Sequence, residues 1–94
     1  DSDLEHVEQV TLAVAQEVTK EVDGGVDSEE PVIRYNAFAD SSINFEVRIL
    51  VREFRSQPLV THEFIKRLHR RYNEEGIEIP FPIRTVYMKS QAED

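Results

Sequence analysis

The sequence predicts a two-layer α+β fold, and three observations carry the prediction. Two segments repeat apolar residues every three or four positions, as helices with one buried face do. Two segments between them favour strands, and one of these alternates strictly between apolar and polar residues. A last apolar segment follows a proline pair. The chain has 94 residues, which makes one domain with a thin core. With 39% hydrophobic and 32% charged residues it belongs among folded, well-solvated domains.

The first helix is announced by Ser2-Asp3-Leu4-Glu5, the form of a capping box. Leu4, Val7, Val10, Val14, Val18 and Val22 then form one stripe about five turns long. Asp23-Gly24-Gly25 ends it, since glycine takes the left-handed backbone that a helix exit often requires. Residues 27–31 read as an acidic loop, and Pro31 introduces a strand over 32–39 with Ile33, Tyr35, Ala37 and Ala39 on one face. Asp40-Ser41-Ser42 is the turn. Ile43, Phe45, Val47, Ile49 and Val51 then alternate with polar residues, which predicts a half-buried strand paired back as a hairpin.

Gln57-Pro58 opens the second helix, with proline in the first turn where its missing N–H is not needed. Phe64, Ile65, Leu68 and Tyr72 are its predicted stripe, with Lys66, Arg67, Arg70, Asn73 and Glu74 outside. Gly76 stops it as a left-handed C′ residue, so that Ile77 folds back on Tyr72. Pro80 and Pro82 cannot donate to a ladder, which makes their surroundings an edge or an extended connector. Residues 83–88 are the last strand, and 89–94 read as a flexible tail outside a domain spanning 1–88. The order α-β-β-α-β places two helices on one face of a small, largely antiparallel sheet. It is a ferredoxin-like two-layer sandwich whose first strand is absent.

Charge and motif content exclude several classes of function. The net charge is −8, and residues 1–30 hold ten acids against one lysine. That balance argues against general nucleic-acid binding, which needs cations to displace phosphate counterions. There are no cysteines, hence no disulfide or thiolate metal site. No apolar run approaches the ~20 residues of a membrane span. His6, His62 and His69 lack the spacing of a zinc motif, and no metal or cofactor is expected. The basic cluster at 66–71 is explained by helix-end cations and by the pairs Glu63–Arg67, Arg70–Glu74 and Arg71–Glu75. Nothing forms a triad or acid–base dyad, so the chain is not read as an enzyme. Phe81, between Pro80 and Pro82, stands out as an aromatic on a rigid extended segment, which suits either docking on a neighbouring subunit or packing on its own sheet while the prolines protect an edge.

Three stretches carry a family resemblance: Asp1-Ser2-Asp3-Leu4-Glu5-His6-Val7, Ser41-Ser42-Ile43-Asn44-Phe45-Glu46-Val47-Arg48, and Gly76-Ile77-Glu78-Ile79-Pro80-Phe81-Pro82. In this order the chain resembles the C-terminal cytoplasmic α/β domain of small-conductance mechanosensitive ion channels, the MscS family. The resemblance implies a homoheptamer in the bacterial inner membrane whose cytoplasmic domains form a cage with side portals. It implies a channel that opens under membrane tension and releases small solutes on osmotic down-shock, with this domain shaping the vestibule and holding the assembly. It places Gly76 at the turn after the second helix, and Pro80, Phe81 and Pro82 at a connector and intersubunit contact. The family's strand ahead of Asp1 is missing, and the strand that closes a small barrel is barely represented by residues 89–94. The fragment alone is therefore expected as a monomer or as an oligomer paired through strand edges. The alternative reading is a soluble ferredoxin-like regulatory module that binds a small ligand.

Overall fold

The computed structural model describes residues 3–37, 43–78 and 83–89. Helix α1 spans Leu4–Glu21, strand β1 Val32–Ala37, strand β2 Ile43–Val51, helix α2 Gln57–Glu75 and strand β3 Ile83–Lys89, with a single 3-10 turn, Phe54–Ser56, ahead of α2. This is the expected α+β order. The three strands form one sheet in the order β1-β2-β3. β1 runs antiparallel to β2, with Ile33 opposite Val47 and Tyr35 opposite Phe45. β3 runs parallel to β2, with Phe45 beside Ile83 and Ile49 beside Tyr87.

The parallel pairing differs from the largely antiparallel sheet that the sequence suggests, and the sheet is mixed. The reason is the connection: parallel neighbours require a crossover of a dozen or more residues, and α2 supplies it. Both helices cover one face of the sheet, as expected. Val14, Ala15 and Val18 of α1, with Val22 just after it, meet Val47, Ile49 and Val51 of β2 and Val60, Phe64 and Leu68 of α2 in a single core. Ile33, Tyr72, Ile83 and Tyr87 pack around it.

Local choices follow from the sequence with small shifts. α1 is capped by Asp3, whose Oδ1 accepts from the Glu5 N–H at 3.0 Å. A carboxylate one residue nearer the helix takes the amide that the capping box assigns to Ser2, which lies outside the described residues. Leu4 is 46% exposed rather than part of the stripe, and Ile65 is 57% exposed. In α2 the buried line runs Val60, Phe64, Leu68 at strict four-residue spacing, which turns Ile65 outward. Thr11 is fully buried because it sits one turn after Val7, where its hydroxyl donates to the Val7 carbonyl at 2.8 Å.

Candidate functional site

Of the residues singled out by sequence, Gly76 is described, whereas Pro80, Phe81 and Pro82 lie outside the described residues. Gly76 has φ 70 and ψ 30, the left-handed conformation expected. The Ile77 N–H donates to the Tyr72 carbonyl at 2.9 Å and the Gly76 N–H to the Asn73 carbonyl at 3.4 Å, the two bonds of a Schellman closure. Ile77 and Tyr72 both line a groove of about 430 Å³ between α2 and β3, together with Phe64, Leu68 and Ile83. Ile77 and Ile83 bracket the 79–82 connector in the chain. The polar groups at this groove are Thr85, His69 and Asn73. It is mainly an apolar seam beside the last strand.

Two hydroxyl pairs lock the layers. Tyr72 on α2 meets Thr11 on α1, and Tyr87 on β3 meets Thr61 on α2. Burial pushes both phenols above their ordinary pKa. Thr11 already spends its proton on the Val7 carbonyl, so Tyr72 is the donor to Thr11.

Arg67 was expected on the solvent face of α2, yet it is the hub of the helix pair. Its Nη1 lies 2.7 Å from Glu17 and 2.9 Å from Glu21 of α1, and its Nε 3.3 Å from Glu63. Glu63 also takes Lys66 at 3.3 Å. Lys66, and then Arg67, hold the Glu63 carboxyl below its ordinary pKa. Arg71–Glu75 closes as expected at 3.4 Å, and Glu75 also lies 3.2 Å from His6 of α1. Arg70 and Glu74 form no ion pair among the described residues. The signal for Arg67 was available: a long cation three residues after a buried Phe64 sits at the rim of the apolar stripe, within reach of a neighbouring acidic helix.

The opposite face of the sheet has no helix over it among the described residues. Its cross-strand rows are Arg34–Glu46–Arg84, Val32–Arg48–Val86 and Leu50–Met88. Glu46 is only 9% exposed and bonds Arg48 Nε at 3.2 Å. Among the described residues no carboxylate makes an ion pair with Arg34 or Arg84. His62 and His69 are both exposed on α2, and no group of three metal-ligating side chains occurs among the described residues.

The model of the family described as mechanosensitive ion channel MscS, C-terminal, matches residues 1–79. The chain belongs to the MscS C-terminal family. No solved structure matches it. The match takes in both helices, the hairpin and the Gly76 closure, and stops before Pro80, so that β3 lies beyond it. The MscS C-terminal domain is a channel domain rather than a member of an enzyme family, and its family implies an oligomeric channel. No helix of the described residues is long and apolar enough to cross a membrane.

Proposed function

We propose that the chain is the vestibule and assembly domain of a tension-gated channel, a homoheptamer in the bacterial inner membrane that releases small solutes on osmotic down-shock. The family match over residues 1–79 carries this reading. The architecture supports it: a two-layer body whose helices are joined by a shared core and by the Arg67 ion pairs suits a wall element. The domain stands on the cytoplasmic side, shapes the space through which solutes reach the pore, and binds no cofactor. Pro80, Phe81 and Pro82 form the connector into β3 and contribute an intersubunit contact.

The test is patch recording from cells that lack their own mechanosensitive channels and express the whole parent protein. Suction-activated current, with a seven-subunit mass by native mass spectrometry in detergent, is the expected result. A parent protein that gives no tension-dependent current and no membrane oligomer overturns the reading. For the connector, Phe81→Ala is expected to lower heptamer stability in detergent. Unchanged dissociation removes Phe81 from the contact.

A further inference from the structure

We infer that the helix-free face of the sheet docks a second copy of this chain, receiving the exposed acidic loop at residues 27–30 in a head-to-tail contact. This rests on the assembly role proposed above and names the surfaces that perform it.

Sheets made only of parallel strands have both faces covered, whereas a mixed sheet can leave one face to solvent or to a partner. Among the described residues, this mixed sheet is covered only on its helix side. On the other side Leu50 and Val86 remain half-exposed and Met88 is 37% exposed. These three form an apolar strip flanked by Arg34, Arg48 and Arg84. Three arginines against Glu46 make the face basic on a chain of net charge −8.

Charge complementarity selects the occupant. Asp27, Glu29 and Glu30 are all exposed, and none makes an ion pair with another described residue. They lead into β1, at one border of the sheet. Another molecule's loop therefore brings three carboxylates to a surface where arginines are already fixed on strands, an arrangement that favours guanidinium–carboxylate pairing. The two patches differ, so the contact is heterologous. Repeated with a closing rotation, such a contact makes a ring about an axis. A wall around a solute path needs that geometry, whereas a face that meets its own copy stops at a dimer.

The absence of cysteine allows a clean test. Ser28→Cys in the loop and Met88→Cys on the face are placed in one chain and oxidised at low salt. The expected product is a reductant-sensitive ladder of dimer, trimer and higher species, whereas Met88→Cys alone stays monomeric. Adding Arg34→Glu with Arg84→Glu lowers the ladder yield about tenfold or more, since like charges now face each other. Adding Glu29→Lys and Glu30→Lys to that same chain restores it, with folding of every variant followed by circular dichroism. No ladder, a dimer from Met88→Cys alone, or a charge-reversed chain that cross-links as before overturns the contact. In each of those cases the channel reading still stands or falls on the current recordings.

Discussion

At the residue scale, the two positive-φ glycines do different work. Gly76 turns the chain in open space, with no atom within 4 Å of where a Cβ would stand. Gly24, at φ 96, faces Ser56, whose Cβ would lie 2.6 Å from an added methyl. Its carbonyl accepts from the Arg52 N–H at 2.8 Å, which pins the exit of α1 to the end of β2. Gly76→Ala is therefore expected to cost about 1 kcal/mol, the backbone penalty alone. Gly24→Ala is expected to cost about 2 kcal/mol or more, because overpacking adds to it. Urea unfolding of the two variants, read as a midpoint shift at unchanged slope, separates them. Both glycines were legible in the sequence as turning points, but only Gly76 ends its helix: α1 closes on Val22 in extended backbone, two residues before Gly24. Their difference in packing was not legible, because it depends on Ser56, brought to Gly24 only by the fold. Phe64 is 1% exposed among core side chains, and Phe64→Ala is expected to lose about 3–5 kcal/mol in the same assay.

At the element scale, α1 and α2 are held by an apolar seam and by the Arg67 cluster at its rim. Glu63 has a depressed pKa in the folded chain. A depressed carboxyl contributes stability that is present above its unfolded value, near 4.5, and is lost as pH falls through the lower folded value. The thermal unfolding midpoint is thus expected to fall below about pH 4.5. Arg67→Met is expected to lower stability by about 1 kcal/mol at neutral pH, since these ions are partly solvated, and to leave a flatter acid limb. An acid limb as steep as that of the unaltered chain would assign the loss to the Lys66 contact or to other carboxylates. The alkaline limb has the opposite sign. Tyr72 and Tyr87 have raised pKa values, so their contribution is complete below their unfolded value near 10 and disappears as pH climbs through the folded one. Paired substitution to phenylalanine should flatten that limb. The periodicity of single elements showed which face of each helix is apolar, but not which rim residue reaches a neighbour. Arg67 was misplaced for that reason, and Ile65 because three- and four-residue spacings are both compatible with one stripe.

At the scale of the whole molecule, the sequence showed helices, strands and their order, because each rests on local periodicity and on Gly or Pro punctuation. It did not show that β3 lies parallel to β2, since strand direction follows from how a crossover packs, a non-local property. The same holds for the arginine-rich face: Arg34 and Arg84 are 50 positions apart in sequence and become neighbours of Glu46 only through two registers. The parallel join also sets an order of folding. The β1–β2 hairpin closes over a short loop, whereas β3 cannot add to β2 until about thirty residues of crossover have been synthesised and α2 has formed. During translation, the growing chain therefore passes through a stage in which β2 has one bare edge and Ile49 lacks its Tyr87 neighbour. Lesions in β3 should speed unfolding more than they slow folding, as interactions formed after the transition state do. A nascent chain stalled before Ile83 would then be the species most in need of a chaperone.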